Sequence, residues 1–398
     1  MNSALRARSA VAASFAVSGL AVASFLSRVP GVRDALGLSP AQLGLLLLCL
    51  SGGSMVGLPV SGPIVHRFGP ARAVLAASMT VATGLVTLAA GLQVGVAGPA
   101  AVGFVLIGLG IGIWDVAMNV EGAGVERRLG RSLMPRLHAA FSLGTMAGAG
   151  VGAASAVTGV PLALQVVLVA ALMPVSMVLA VRWFLPVHND AGQGASGGSA
   201  TLAAWQEPRT LVIGLLVLGF AFIEGSANDW IAVAMVDGHG ASEALGAIAF
   251  GLFVTAMTLG RLIGGSVLER LGRVAVLRAS AAITLAGLLL VLLGGSTAVA
   301  LLGASLWGLG ASLGFPVGMS AAADDPVMAA ARVSVVSSVG YAAFLAGPPL
   351  IVLLAERAGI LLALLVVLGA LALGLLASGA SRPMLITTTP RWPGGAGG

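Results

Sequence analysis

The sequence predicts an all-α membrane protein of twelve transmembrane helices in two six-helix bundles, with both termini cytoplasmic. Three observations predict it. Hydrophobic residues make up 58% of the chain and charged residues 9%, whereas a soluble domain carries roughly a quarter charged residues to cover its surface. Lipid therefore replaces water around most of the exterior. The 398 residues divide into twelve segments of about 33, enough for a span of about 20 apolar residues across ~30 Å of hydrocarbon plus a short loop. Finally, one pattern recurs at half-chain offset, Gly62-Pro-Ile-Val-His66-Arg67-Phe-Gly69-Pro-Ala-Arg72 and Gly265-Ser-Val-Leu-Glu269-Arg270-Leu-Gly272-Arg273.

Read in order, the expected spans are 9–28, 41–63, 72–92, 97–121, 137–157, 162–184, 209–228, 244–266, 274–293, 298–321, 333–355 and 360–380. The first resembles a secretory signal, with Arg6 and Arg8 before an apolar run that contains Ala21-Val22-Ala23. So many apolar runs follow that it reads more simply as an uncleaved first span. Orientation follows from the arginines, because positive loops stay on the cytoplasmic side. Sixteen of the 20 basic residues fall on the side of the termini, and only Arg28, Arg33 and Arg357 fall opposite; Arg261 lies inside a span. Residues 188–208 form the one long polar stretch, Gly/Ser-rich and expected to be a flexible cytoplasmic linker. It separates an N-terminal bundle, 1–187, from a C-terminal bundle, 209–381. The Pro/Gly-rich residues 382–398 read as a disordered cytoplasmic tail.

Several function classes drop out. Every basic residue is Arg, and these sit in loops rather than along one face, so no nucleic-acid partner is expected. Cys49 is the only cysteine, which forbids an internal disulfide and argues against a metal cluster. There is no nucleophile–base pair, HExxH or phosphate loop, so neither catalytic residues, a metal nor a cofactor is expected. The expected partners are a small-molecule solute, protons and the lipid bilayer, with the chain acting as a monomer.

The duplicated pattern resembles the G-x-x-x-D-R-x-G-R signature of the major facilitator superfamily. In that family the glycine lets helix 2 approach helix 11, or helix 8 approach helix 5, and the charged residues cap helix ends and latch the cytoplasmic gate. The resemblance thus implies gating roles for Gly62, His66, Arg67, Gly69 and Arg72, and for Gly265, Glu269, Arg270, Gly272 and Arg273. The first copy departs from the pattern, with His66 in the acidic position. Further motifs are similar to the fucose/galactose permease branch: Asp115-Val-Ala-Met-Asn119, His138-Ala-Ala-Phe-Ser142, Gly314-Phe315-Pro316 and Gly347-Pro348-Pro349. That branch carries a carboxylate in helix 1, where this chain offers only Ser14, Ser18, Ser24 and Ser27.

An ionisable group inside a span costs at least ~2.5–3.5 kcal/mol, so it is a functional candidate by default. Asp115 lies about 9 Å past the middle of the expected fourth span, with Asn119 one turn on along the same face and Trp114 adjoining. These residues read either as a substrate and proton-coupling site or as a helix–helix hydrogen-bonding group. Glu224 is the counterpart in helix 7, and Asn228, Asp229 and Trp230 are expected at its interface end. Arg261 is expected to snorkel or to pair with Glu269. Glu121, Glu126, Arg127, Arg128, Arg131 and Arg136 are expected to be solvated charges and gate contacts, His138 to cap helix 5 or relay protons, and Gly347-Pro348-Pro349 to break helix 11. Gly144, Gly148 and Gly152 recur at the four-residue spacing of close helix contact.

The function the resemblance implies is secondary active transport of a small polar solute, with sugar-like molecules as one candidate class, across the inner membrane, driven by protons and alternating access. An exporter of drugs or metabolites on the same scaffold is the alternative. Low aromatic content, 5%, leans toward small polar cargo.

Overall fold

The computed structural model describes residues 2–38, 40–186, 197–241 and 243–383. The helices are α1 (Asn2–Leu26), α2 (Val29–Leu36), α3 (Pro40–Val94), α4 (Ala97–Leu129), α5 (Met134–Val157), α6 (Leu162–Val181), α7 (Gly197–Gln206), α8 (Pro208–Val233), α9 (Glu243–Leu271), α10 (Arg273–Leu293), α11 (Thr297–Ala311), α12 (Gly314–Ala322), α13 (Ala329–Ala358), α14 (Ile360–Ala363) and α15 (Val366–Ala377). Eleven stretches among the described residues are long and apolar enough to cross a membrane. One of them, Gln42–Val94, counts twice. Its 53 residues would reach about 80 Å as one straight helix, more than twice the hydrocarbon thickness. The chain reverses at Gly69, where φ is 78° and ψ 161°. Eleven stretches with one doubled give twelve spans.

Gly272, between α9 and α10, repeats that geometry with φ 76° and ψ 159°. A side chain at such φ is strained, so this backbone corner is one physical reason for the two glycines at the half-chain offset. The pattern leading to each corner is helical, not looped: α3 continues through Gly62–Phe68 and α9 through Gly265–Leu271. The expectation of a loop from 64 to 71 is corrected accordingly.

Other boundaries move outward. α4 continues to Leu129, eight residues past expectation, which brings Asp115 within a turn of its middle. α8 runs to Val233 and continues as a π-helical turn, Ala234–Gly238. Asn228, Asp229 and Trp230 therefore lie inside helix 7 rather than at its end. Helix 11 is unbroken, since Pro348 and Pro349 sit within α13; prolines are tolerated where neighbouring groups satisfy the freed carbonyls. The break falls in the tenth span instead, at Ser312–Leu313 between α11 and α12.

The linker also departs from expectation. Residues 188–196 and the expected disordered segment from 384 lie outside the described residues, but Gly197–Gln206 is helical. The Thr201-Leu-Ala-Ala-Trp205 stretch is helix-compatible and has somewhere to pack: Ala204 is fully buried with Ala331 and Val335 of α13. An apolar face with a partner outweighs the flexibility of the preceding glycines.

Arg6 lies over the Trp183 ring and Arg209 donates to the carbonyl of Arg382, so the chain ends, the linker and the sixth and seventh helix ends gather at one side, termed here the linker end. Two large cores fill the molecule. One contains only residues of 216–377. The other centres on α1, α3, α4 and α6 but takes in Ile213, Val217, Phe315, Met319, Val333 and Val336. The halves are thus fused by apolar packing.

Candidate functional site

Between the halves lies a cavity of about 430 Å³. Ser18 and Val22 of α1, Ser51, Ser54 and Met55 of α3, Asp115 and Met118 of α4, Glu224 and Asn228 of α8, and Tyr341 and Phe344 of α13 line it. It extends to Leu26, the last residue of α1, hence toward the end opposite the linker.

Asp115 is 5% exposed. One carboxylate oxygen accepts from Asn119 Nδ2 at 3.3 Å, and the other accepts from Ser337 Oγ of α13 at 3.3 Å. Asn119 Nδ2 also donates to the Asp115 carbonyl at 2.8 Å, and Asn119 Oδ1 lies 3.1 Å from His138 Nε2. With the amide nitrogen committed to Asp115, the amide oxygen faces the histidine, so Nε2 carries the proton and donates. His138 is buried between the edges of Phe15 and Phe315, with ring centroids 5.1 and 5.4 Å away. It does not cap α5, which begins at Met134.

The second charged group belongs to the other half. Glu224 pairs with Arg261 at 2.8 Å. Arg261 neither snorkels nor reaches Glu269: it is 4% exposed, and it donates to the Ser312 carbonyl at 3.3 Å and to Ser142 Oγ of α5 at 2.7 Å. One guanidinium therefore joins α8, α9 and α5 across the seam. A smaller cavity of about 90 Å³, touching Asp115, His138, Glu224 and Arg261, adjoins the larger one and shares Asp115 and Glu224 with it. Asp115 has no cation within 4 Å among the described residues.

Trp114 lies behind this group. Its indole donates to Ser14 Oγ at 2.8 Å and it is 1% exposed, so it pins α4 to α1 and does not line the cavity. Asn228 does line it. Trp230 packs against the C-terminal core.

Toward the linker end the seam is closed. Gly62 lies against Ser334 of α13 and Thr201 of α7, where a Cβ would come within 3.1 and 2.8 Å; at Gly265 a Cβ would sit 2.6 Å from the Ser132 carbonyl. Glu269 accepts from the Ser132 backbone N–H at 2.9 Å, just ahead of α5 in the opposite half. Arg273 donates to Asp324 and to Ser320, both at 2.8 Å, and Asp324 also accepts from Arg209 at 3.0 Å. Arg127 reaches the Ala323 carbonyl and Ser320 reaches Glu126, each across the seam. His66, Arg67, Arg72 and Arg270 are exposed and form no ion pair among the described residues. Glu121 is not solvated: it is buried and accepts from the Leu185 N–H at 2.6 Å.

Glu207, just ahead of α8, accepts from Arg332 at 2.7 and 2.9 Å and from Thr210. Partial burial pushes its carboxyl up, but those hydrogen bonds and the charges of Arg332 and Arg209 outweigh it and hold the group below its ordinary value.

Sequence reasoning missed Arg261, Ser337, Asp324 and the Glu207–Arg332 pair as seam residues. Arg261 carried the same signal as Asp115, a charge inside a span. Asp324 and Asp325 form an acidic pair just after the tenth span on the Arg-rich side. Ser337 carried no signal.

The sequence profile of the Major Facilitator Superfamily matches residues 11–348. The chain belongs to this superfamily. It is 32% identical over 368 residues to an uncharacterised MFS-type transporter of Yersinia pestis, covering 92% of each chain. It is 30% identical to an uncharacterised transporter of Sinorhizobium fredii, over 87% of this chain and 91% of the relative. Its fold matches the transporter FucP in the outward conformation with a TM-score of 0.83 at 16% identity, over 96% of this chain and 100% of that one. Family and fold are those of multi-pass membrane transporters.

Proposed function

We propose that the chain is a proton-coupled transporter of the inner (plasma) membrane that moves a small polar solute by alternating access. The observation that carries this reading is Asp115: a buried carboxylate with no cation partner among the described residues, at the wall of a cavity between two halves whose seam is closed toward the linker end. Such a charge is costly to bury unpaired. Binding a proton relieves that cost, and so does a polar solute that supplies donors. Asp115, Asn119, Glu224 and Asn228 form the substrate and coupling group, and Trp114 supports it through α1. In this reading the halves 1–187 and 209–381 rock as units, a monomer suffices, and the linker end faces the cytoplasm, as the arginine distribution supports. Solute enters from the opposite side and leaves when the seam opens. FucP, an E. coli fucose:proton symporter, supports a proton-driven importer.

The test is Asp115→Asn in proteoliposomes. It should abolish accumulation driven by a proton gradient while solute exchange persists, because shape is kept and only the titratable charge is lost. Gradient-driven accumulation with normal pH dependence in this variant would sink the assignment.

One observation favours the exporter reading: much of the cavity wall is apolar, with Val22, Leu26, Leu50, Met55, Ile111, Met118 and Phe344. Thermal-shift screening against sugars and against amphipathic drugs separates the two. Stabilisation by drugs alone would favour export.

A further inference from the structure

A groove of about 810 Å³ runs between α1 and α6 at the linker end, far from the central cavity. Its mouth is basic and aromatic: Arg6, Arg8, Ser9 and Trp183 line it. Its inner wall is small and apolar, with Ala13 and Ala180. The guanidinium of Arg6 lies 4.7 Å from the centre of the Trp183 ring, and that of Arg182 lies 5.7 Å from it. Among the described residues, ion pairs involve Arg33, Arg209, Arg261, Arg273 and Arg332. Arg6, Arg8 and Arg182 take part in none of these pairs. Arg6 and Arg8 line the groove and Arg182 lies beside it, so the charge at its mouth is complementary to an anion.

The groove also opens on the face that meets lipid. On α6, Leu168, Leu172, Val175 and Leu179 are 51, 67, 59 and 50% exposed, a continuous apolar stripe along the helix that forms one wall. A Trp at the level of the arginines marks the headgroup layer, where tryptophan is favoured. Guanidinium groups bind phosphate oxygens in a bidentate fork, and basic clusters between spanning helices at the membrane surface suit acidic lipid headgroups.

We propose that this groove binds one anionic phospholipid, with its phosphodiester held by Arg6 and Arg8 and an acyl chain laid between α1 and α6. The lipid would tie the first helix to the sixth. Arg182, whose guanidinium is also near the Trp183 ring, adds to the positive field. A free phosphate would satisfy the same arginines but leave the apolar wall bare, and a zwitterionic lipid would fill the wall but bring its own cation to the arginines.

The experiment is a melting-temperature titration of the full-length protein in neutral detergent, with phosphatidylglycerol, phosphatidylcholine or inorganic phosphate added. Phosphatidylglycerol should raise the midpoint by a few degrees, as a ligand that binds only the folded state does, and the other two should leave it in place. The pair Arg6→Gln and Arg8→Gln should remove most of that shift, and Arg278→Gln, an exposed arginine of α10, should keep it. Native mass spectrometry should show a retained phosphatidylglycerol in the wild type and its loss in the pair variant. If the pair variant does not fold, Arg8→Gln alone answers the question, because that side chain is exposed. Equal stabilisation by phosphatidylcholine, stabilisation by phosphate alone, or an undiminished shift in the arginine variants would each overturn the proposal.

Discussion

At the scale of single residues the seam is organised around two carboxylates with opposite arrangements. Among the described residues Asp115 accepts from neutral donors, Asn119 and Ser337, whereas Glu224 holds Arg261. A buried ion pair contributes little net stability, but removing one partner leaves a charge unpaired and costs about 3–5 kcal/mol. Glu224→Gln should therefore destabilise the protein by about that order, and the double variant Glu224→Gln/Arg261→Gln should recover part of the loss. Melting curves of the two single variants and the double form the cycle. Additive losses would show that the pair is not coupled. The intramembrane charges were all visible in the sequence, since each interrupts an apolar run. Their partners were not. Nothing local distinguishes an arginine that snorkels from one that turns inward to Glu224, 37 residues away in the chain, and Ser337 matters only because it meets Asp115 from the other half.

At the scale of elements, small residues decide which helices touch. At Gly144, Gly148 and Gly152 of α5 a Cβ would lie 2.0, 2.3 and 2.0 Å from the Ala16 carbonyl and the Leu20 carbonyl of α1 and from Oγ of Ser27, the residue just after it. Gly150 on the same helix has nothing within 4 Å of such a Cβ. Gly144→Ala should thus prise α1 from α5 and lower thermal stability measurably, while Gly150→Ala should leave it unchanged or raised, since alanine is the better helix former by about 1 kcal/mol. Equal melting temperatures for the two variants would contradict the packing. Here the sequence spacing pointed to a close-contact face, and the structure supplied the partner.

The linker element yields a pH prediction. Glu207 has its pKa depressed in the folded state by Arg332, Thr210 and Arg209, against the opposing effect of burial. A depressed carboxyl contributes stability that is present above its unfolded value, near ~4.3, and is lost as pH falls through the folded value. The wild type should lose more stability than Glu207→Gln when acidified from pH 6 to below pH 4. The two curves should differ most at the upper end of that range. Parallel acid profiles would mean that the Glu207–Arg332 contact does not stabilise the clasp of α7 and α8 against α13.

At the scale of the whole molecule the two copies of the repeated pattern have diverged in what they hold. Glu269 bonds the backbone ahead of α5, and Arg273 holds Asp324, while His66 and Arg72 are exposed. Transport by Glu269→Ala should therefore fall well below that of His66→Ala. Flux measured in the same vesicles tests this, and equal rates in the two would refute the asymmetry.

What the sequence determined by itself is whatever depends on the solvent and on chain-local geometry. The apolar runs, the paucity of charge and the half-chain repeat set a twelve-span membrane protein, because hydrocarbon thickness fixes span length and only glycine turns the corners at Gly69 and Gly272. Only the tertiary structure decided which half-chain groups meet. It put Ser337 against Asp115, turned Arg261 to Glu224, and folded Gly197–Gln206 onto α13. In an interior with few charges, the partner a buried charge finds is set by how two bundles dock, which no local pattern encodes.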